Sequence, residues 1–261
     1  MTNQPKHNAL KLRMERISML ASTEYYQRYY GSRLGVIWAF INPLFRILIY
    51  YLAFSYLIFR NRDPQFILYL FLGITVWQYF SENTNKGISL LKGKKYLIQN
   101  VGMAKSDIFI ASALSTSVSF GLNIVIYFLI SFWFDVSYSF NSILVIALFV
   151  NLYLIVVGVS MILSTIHLYF SDFKHVWDLA LLLGFWTVPI IWDAKYVYTT
   201  YPFMLYGNPI TGILVNLRNI MLYNSPVDTT VFALDFAYAL VFVIIGYSLI
   251  KRFSYKVVER L

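Results

Sequence analysis

Long apolar runs separated by short polar segments are the feature that most limits how this chain can fold. Of its 261 residues, 59% are hydrophobic and only 13% are charged, with a mean hydropathy of +0.63. A soluble domain carries about twice that charged fraction. Several of the runs approach the ~20 residues that a helix needs to cross a bilayer. The sequence therefore predicts an all-α integral membrane protein.

Six of these runs are predicted to span the membrane, within one membrane domain over residues 1–261. They cover residues 39–59, 66–91, 108–134, 141–166, 176–192 and 231–250, and a short polar turn at 171–178 joins the fourth to the fifth. Residues 193–230 are too polar and too rich in Pro and Gly to span. The six-span region, 36–251, follows an interfacial segment, 1–35, and precedes a short tail, 252–261.

The distribution of Lys and Arg predicts the orientation in the membrane. With the N-terminus inside, sixteen of these residues lie in inner segments and four in outer segments, while Arg46 lies within the first span. Inner loops of membrane proteins carry such an excess. We therefore expect both termini in the cytoplasm. The N-terminal segment also lacks the apolar core and cleavage site of a removable signal peptide.

Residues 8–30 have an imperfect amphipathic pattern that predicts a helix lying at the membrane surface. Its apolar face is predicted to comprise Leu10, Met14, Ile17, Ala21 and Tyr25. Gly31 and Gly35 follow, and their spacing of four also fits a helix-contact motif. At the edge of an apolar run we favour a turn, because glycine adopts the backbone conformations that a turn requires.

Cations and aromatic rings are concentrated in the next segment, EYYQRYYGSRLGVIW at residues 24–38. Arg28 and Arg33 lie there among tyrosines, with Trp38 at the end. Such rings prefer the headgroup region of a bilayer, and arginine binds lipid phosphates. The residues alone leave two interpretations open, a simple membrane anchor or a site for an anionic headgroup.

Two charged residues fall inside predicted spans. Arg46 is close enough to the start of the first span to extend its guanidinium to the inner headgroups. Asp235 lies near the outer end of the last span. We predict that both are interfacial, since a charge at the bilayer centre is costly.

The sequence lacks the residues of the common catalytic and metal sites. No glycine-rich phosphate loop is present, since KGKK at 92–95 lacks the upstream glycine and the hydroxyl residue. The three histidines have no ligand partners at suitable spacing, and the chain has no cysteine. We therefore expect no enzymatic activity and no cofactor in this chain. The basic residues that give the chain its net charge of +9 flank apolar runs, so nucleic acid is not an expected partner.

The pattern Arg-Tyr-x-Gly-Ser-x-Leu-Gly-x-x-Trp-x-x-x-x-Pro-Leu resembles the entry of the ABC-2 type polysaccharide-export permeases. Here it comprises Arg28, Tyr29, Gly31, Ser32, Leu34, Gly35, Trp38, Pro43 and Leu44. Within that family the chain is most similar to the O-antigen permeases, with the teichoic-acid permeases close behind. The resemblance implies the ABC-2 fold, also called type V exporter-like, in the bacterial cytoplasmic (inner) membrane.

The resemblance also implies partners and a transported substrate. Members of the family work as homodimers with two copies of a separate ATPase chain, which binds ATP and magnesium. They export a glycan attached to a polyprenyl-pyrophosphate carrier in the membrane lipid. The carrier headgroup is expected at the entry motif, near Arg28, Tyr29, Tyr30, Arg33 and Trp38.

Two cytoplasmic loops resemble the surfaces on which the family docks its ATPase. Residues 92–106 are basic with interleaved apolar side chains, a composition that also suits a loop that only sets orientation. Residues 169–175 resemble the second docking segment, although Ser171 replaces the usual arginine. The expected docking residues are Lys94, Tyr96, Leu97, Ile98, Asp172 and Lys174.

On the outer side, the resemblance implies a broken fifth helix, a re-entrant segment and a helix that begins with Asn-Pro. The residues expected at this outer gate are Pro189, Asn208, Pro209 and Arg218. Tyrosine rings suit the passage of sugars, although many of the 22 tyrosines must face lipid or the membrane interface. The rings expected to line a passage are Tyr50, Tyr51, Tyr69, Trp77 and Tyr79.

Two other functions are compatible with a chain of this kind. One is an ABC-2 permease for teichoic acid, a drug or a small lipid. The other is a membrane scaffold or enzyme of glycan assembly, which would require paired carboxylates or histidines within the membrane. The sequence shows no such pairs.

Overall fold

The structure, a computed structural model, describes residues 4–54 and 65–253. These residues form helices and no strands, as the composition predicts. In chain order the α-helices are α1 (Gln4–Tyr29), α2 (Trp38–Tyr51), α3 (Phe66–Gly87), α4 (Leu90–Gly93), α5 (Lys95–Gln99), α6 (Lys105–Ser131), α7 (Val145–Tyr169), α8 (Phe173–Thr187), α9 (Ala194–Thr200), α10 (Pro202–Tyr206), α11 (Pro209–Met221) and α12 (Thr229–Arg252).

Three helical segments within the described ranges are long and apolar enough to cross a membrane. They are Lys105–Phe134, Phe140–Tyr169 and Thr229–Arg252, and they contain the predicted third, fourth and sixth spans. A shorter apolar helix, Ile41–Phe54, falls within the predicted first span, of which residues 55–59 lie outside the described residues, as do residues 254–261 of the tail. The chain is a membrane protein, and the complete six-span layout stays a prediction.

The pair of helices with the most extensive mutual contact is α7 and α12. A Cβ atom at Gly158 would lie 2.5 Å from the Phe242 carbonyl carbon, and one at Gly246 would lie 2.7 Å from the Gly158 carbonyl oxygen. Small residues let membrane helices approach at backbone distance, where dispersion contacts and weak hydrogen bonds hold them together. These two glycines therefore determine how closely α12 packs.

The central helix of the bundle is α3, which packs against α6 and α7. Its first half is enclosed by apolar neighbours, and Leu68, Leu70 and Leu72 have 0% exposure. Its second half becomes polar, with Gln78, Glu82 and Lys86 spaced four residues apart and therefore on one helix face. Helices α1, α2 and α6 surround this polar half, and the candidate site forms there.

The predicted turn at the end of α1 is confirmed. Gly31 and Gly35 have φ values of 78° and 50°, in the left-handed region that glycine adopts without steric cost. The predicted apolar face of α1 is only partly correct. Ala21 is buried and two other members are half-buried, but Leu10 and Met14 are 60% and 63% exposed. The helix is rotated relative to this prediction, because its charged side chains, described below, form ion pairs with the rest of the bundle.

The fifth apolar run forms α8, which begins at Phe173, so the predicted turn at 171–178 is too long. None of the residues of α8 is buried, because the helix lies at the edge of the bundle. It ends before Pro189, which lacks the N–H that a continued helix would need. The short helices α9 and α10 follow. Helix α11 then begins where the Asn208 side chain accepts a hydrogen bond from the Ile210 N–H at 3.0 Å and Pro209 occupies the first position.

The absence of cysteine allows a direct test of the orientation. Ser139 and Ser171 are both exposed, after the predicted third and fourth spans respectively. We expect a membrane-impermeant maleimide to label Ser139→Cys in intact spheroplasts, and to label Ser171→Cys only after the membrane is opened. The reverse pattern would show that the termini lie outside, and the unsubstituted chain provides the blank.

Candidate functional site

The first helix is held to the bundle by charge. Where side chains are described, there are four ion pairs, and every one has a partner on α1: Arg13–Asp107 at 2.5 Å, Glu24–Lys86 at 2.6 Å, Glu24–Lys94 at 3.0 Å and Arg28–Glu82 at 2.8 Å. Their partners lie on α3, on α6 and in the loop between α4 and α5. Charge, more than apolar contact, therefore determines where α1 lies.

Glu24 is the centre of this arrangement, because its side chain is only 3% exposed and contacts two lysines. Burial raises the pKa of a carboxyl group, but hydrogen bonds and charge attraction from Lys86 and Lys94 outweigh it and hold the pKa of Glu24 below its ordinary value. The carboxylate is thus charged and paired. Lys94 belongs to the predicted docking loop, so Glu24 joins that loop to α1 and α3.

The second pair, between Arg28 and Glu82, lies next to the first. Arg28 is four residues after Glu24 on α1, and Glu82 is four residues before Lys86 on α3. Residues four apart share a helix face, so the two antiparallel helices form a ladder with two rungs. Arg28 also donates a hydrogen bond from Nη1 to the Ser119 hydroxyl at 3.4 Å, which connects the ladder to α6.

A cavity of about 730 Å³ opens beside this ladder, between α1, α2 and α3. We call it the cationic cavity, because its lining holds more cations than carboxylates. The charged residues in the lining are Arg28, Arg46, Lys86 and Lys94, with Glu24 and Glu82. Among the described residues Arg46 has no ion-pair partner. The cavity therefore has an excess of positive charge, which favours an anionic ligand.

A second, smaller cavity of about 360 Å³ adjoins the first and shares part of its lining, namely Arg28, Arg46, Gln78 and Glu82. We call it the amide pocket, because it also contains the side-chain amides of Asn42 and Asn123. Its remaining lining is Ser32, Trp38, Pro43 and Ser119. The two cavities together offer charge on one side and neutral hydrogen-bonding groups on the other.

Comparisons with known proteins bear on what this site serves. No protein-family model matches the chain. Two curated relatives, both named O-antigen export system permease protein RfbA and both from Klebsiella pneumoniae, are 22% and 23% identical over 233 and 235 residues, which is 89% of this chain and 89% of each relative. A protein of the same name from Myxococcus xanthus is 23% identical over 203 residues, 77% of this chain and 78% of the relative.

Over most of its length the chain is similar to proteins named O-antigen export permeases. The resemblance carried by the entry motif is thereby confirmed. So is the prediction that the chain is a transport subunit and not an enzyme, since the relatives are named as permeases.

The predicted headgroup residues of the permease occupy different places. Arg28 lines both cavities and Trp38 lines the amide pocket. Arg33 and Tyr30 are exposed and are absent from the lining of either cavity. The side chain of Tyr29 lies outside the described part of the structure. Arg46, predicted to reach the inner headgroups, instead joins Arg28 at both cavities.

The aromatic residues predicted to line a passage also divide into two groups. Tyr69 and Tyr79 are buried in the helix packing of this chain, 7% and 5% exposed. Tyr50 and Tyr51 are half-buried, and the Tyr50 ring lies 5.9 Å from that of Phe185. Trp77 packs against the same phenylalanine at 6.2 Å. The expected lining role of all five rings stays a prediction.

The predicted docking residues lie mostly at the surface. Tyr96 is 68% exposed, Asp172 and Lys174 are exposed, and Leu97 is half-buried. Ile98 is the exception, since it is buried and belongs to the core of the bundle.

At the outer gate the structure brings Arg218 and Pro189 together. Arg218 is 1% exposed and donates hydrogen bonds to the carbonyl oxygens of Pro189 at 2.5 Å and of Tyr69 and Ile190 at 3.0 Å each. Its guanidinium also lies 3.3 Å from the centre of the Tyr69 ring. We call this group the outer knot. It supplies donors to the carbonyls of Pro189 and Ile190, which follow the break after α8, and ties them to α3 through Tyr69.

Asp235, which was expected at the membrane interface, packs against α11, and its depth in the membrane stays a prediction. Its carboxyl group is 2% exposed, and it fills the space beside Gly212, where a Cβ atom would lie 2.4 Å from its oxygens. The apolar periodicity of α12 did not reveal this contact, because the space depends on a glycine in another helix.

Sequence reasoning also missed Glu24 on α1 and three partners of that helix, namely Glu82, Lys86 and Asp107. A usable signal was present, since polar residues recur at every fourth position in an otherwise apolar helix, as Gln78, Glu82 and Lys86 do in α3. Such a spacing places them on one face, where they need partners within a membrane protein.

We predict that Glu24→Gln lowers the free energy of unfolding by about 1–3 kcal/mol, because it removes the charge that pairs both lysines, each of which retains some access to water. Thermal unfolding in detergent or nanodiscs measures this. Glu15→Gln, on an exposed face of the same helix, is the matched control and should have little effect.

The same pair of proteins tests the electrostatic cause. A lowered pKa in the folded state means that Glu24 stabilises the fold above its unfolded-state pKa, and that this stabilisation is lost as the pH falls through its folded-state pKa. The difference between wild type and Glu24→Gln should therefore shrink at pH values below the ordinary value of 4.5. A difference that grows in acid would contradict the assignment.

For the outer knot we predict that Arg218→Met destabilises the fold by about 3 kcal/mol or more, since three carbonyls lose their donor within the protein interior. Lys195→Met, at an exposed position on the same side, is the control. Equal melting temperatures for the two variants would show that the knot does not support the fold.

Proposed function

We propose that this chain is the membrane-spanning permease subunit of an ABC exporter that moves an O-antigen polysaccharide, attached to a polyprenyl-pyrophosphate carrier, across the bacterial inner membrane. The observation that carries the substrate assignment is the cationic cavity. Arg28 and Arg46 both line it. The names of the three relatives support the export of O-antigen.

The charge of the cavity suits a pyrophosphate. A guanidinium binds phosphate oxygens with paired, charge-assisted hydrogen bonds, which are roughly twice as strong as neutral ones. Arg46 has no carboxylate partner among the described residues, and a bound anion would supply one. Arg28 already pairs with Glu82, so its contribution is shared between that carboxylate and the ligand.

The position of the cavity fits entry from the inner leaflet. It lies at the polar end of α3, next to the loop of α4 and α5, which the distribution of Lys and Arg assigns to the cytoplasmic side. The turn at Gly31 and Gly35 and the ring of Trp38 lie at the same end. A lipid headgroup can therefore approach laterally while its polyprenyl chain stays in the bilayer.

The energy for transport is proposed to come from a partner. Two copies of an ATPase chain, holding ATP and magnesium, would dock on the loops at 92–106 and 169–175 of a permease homodimer. Lys94 in the first loop contacts Glu24 at 3.0 Å, and Glu24 is one helical turn from Arg28 in the cavity. A displacement of the loop would thus reach the headgroup site through a single ion pair.

The test compares two arginines. We expect Arg46→Gln to weaken the binding of undecaprenyl pyrophosphate to the purified permease in nanodiscs by about tenfold or more, as expected for loss of a charge-assisted contact, and to reduce export of the polysaccharide in cells. Arg33→Gln, on an exposed arginine of the entry motif, is the control and should retain most of both activities.

Each result has a defined meaning if the melting temperatures of the variants match that of wild type. A larger loss in Arg33→Gln would move the headgroup site to the exposed entry motif. Wild-type binding with no loss in either variant would remove the arginines from the headgroup site. No binding of the lipid by wild type would remove the proposed substrate class.

A further inference from the structure

The amide pocket contains two buried acceptors that have no donor. The side-chain carbonyl oxygens of Asn123 and Gln78 are buried and accept no hydrogen bond from the protein. Asn123 is 5% exposed, and Gln78 is half-buried. Buried polar atoms are nearly always paired in folded proteins, and an unpaired acceptor costs about 1–3 kcal/mol. Both oxygens border the same cavity, so a ligand there could satisfy them.

Apart from Arg28 on α1 and Ser32, the residues that line the pocket belong to three helices, α2, α3 and α6. Trp38, Asn42 and Arg46 follow one another at intervals of four on α2, and Ser119 and Asn123 do so on α6. Residues four apart point to the same side of a helix. The pocket therefore lies where the polar faces of these three helices converge.

A phosphate cannot satisfy the two orphan oxygens. Diphosphate esters at neutral pH are anions that only accept hydrogen bonds, and an amide carbonyl also only accepts. The ligand group must instead bring O–H or N–H donors. The pocket further offers the Ser119 hydroxyl, the Glu82 carboxylate as an acceptor and the Trp38 indole ring as an apolar face. Hydroxyl donors around a ring with an apolar C–H face describe a sugar.

The size and location of the pocket agree with one sugar ring. Its volume of about 360 Å³ lies at the small end of the range for ligand pockets, about 300–1,000 Å³. It shares Arg28 and Arg46 with the cationic cavity, so a ligand that spans both has a phosphate group directly followed by a sugar.

We propose that the amide pocket binds the first sugar residue of the lipid-linked glycan, the one attached to the pyrophosphate, through hydrogen bonds from its hydroxyl or acetamido N–H groups to Asn123 Oδ1 and Gln78 Oε1. The proposal rests on the proposed function, because the phosphate in the cationic cavity positions the sugar. It makes the permease selective for the sugar at the reducing end, independently of the rest of the polymer.

The experiment compares two lipids and measures their binding to the full-length permease in nanodiscs. The probes are undecaprenyl pyrophosphate alone and undecaprenyl pyrophosphate that carries one N-acetylglucosamine. Two additional hydrogen bonds predict that wild type binds the sugar-bearing lipid about tenfold more tightly. The double variant Asn123→Leu with Gln78→Met keeps the side-chain volumes but removes both acceptors. It should bind the two lipids with equal affinity.

Two further variants keep the result interpretable. Ser115→Ala removes a buried hydroxyl on α6 that also lacks a partner but does not line the pocket, and it should retain the full preference for the sugar. Gln78→Met alone alters a half-buried position, so we expect it to fold even if the double variant does not. It should reduce the preference for the sugar-bearing lipid about threefold, as loss of one hydrogen bond does.

The outcomes separate this inference from the proposed function. Equal affinity of wild type for the two lipids would overturn the sugar site and leave the pyrophosphate site intact. A sugar preference that survives in Gln78→Met and in the double variant would overturn the assignment to this pocket. Failure of wild type to bind either lipid would overturn both the sugar site and the proposed function.

Discussion

A buried carboxylate held between two lysines is the interaction on which this arrangement of helices depends. Glu24 contacts Lys86 and Lys94 at 2.6 and 3.0 Å, and these residues belong to three separate segments. Within a membrane protein, apolar surface gains little by moving from lipid to another helix. A charge, in contrast, is costly without its partner. The ionic contacts of α1 therefore determine its position more strongly than its apolar side chains do.

The same residues that hold α1 also form the candidate site. Arg28 contacts Glu82 on the ladder and lines both cavities, while Lys86 and Lys94 line the larger one. Stability and ligand binding are thus supplied by one set of charges. The ion pairs of the ladder are all formed. The cavity nevertheless keeps an excess of positive charge, because its lining contains more cations than carboxylates. An anion bound in the cavity would balance this charge and leave the ion pairs of the ladder in place.

Much of the fold could be predicted from the sequence, because helix spans and turns depend on local patterns. The apolar runs indicate the spans near residues 108–134, 141–166 and 231–250, and the glycines indicate the turn at residues 31–35. The docking loops, which were inferred from charge and motif, stay a prediction. The turn before α8 was predicted too long, since the helix already begins at Phe173, within the polar segment of the sequence.

The site was harder to predict, because its contacts join residues far apart in the chain. The entry motif drew attention to Arg33, whose side chain lies at the surface, and away from Glu24, whose partners are 62 and 70 residues distant. Tyr69 and Tyr79 resembled passage-lining rings, yet their burial depends on neighbours in other helices. Asn123 and Gln78 became informative only when the structure showed that their oxygens share a pocket and lack donors.

The outer knot differs from the inner ladder in the chemistry of its acceptors. Arg218 contacts backbone carbonyls, which carry no proton and cannot gain one at ordinary pH, and a guanidinium keeps its charge there as well. The ladder, in contrast, contains Glu24, whose carboxylate is neutralised once the pH falls through its folded-state pKa. Acid therefore leaves the contacts of the outer knot in place, whereas it can weaken the ion pairs of the ladder.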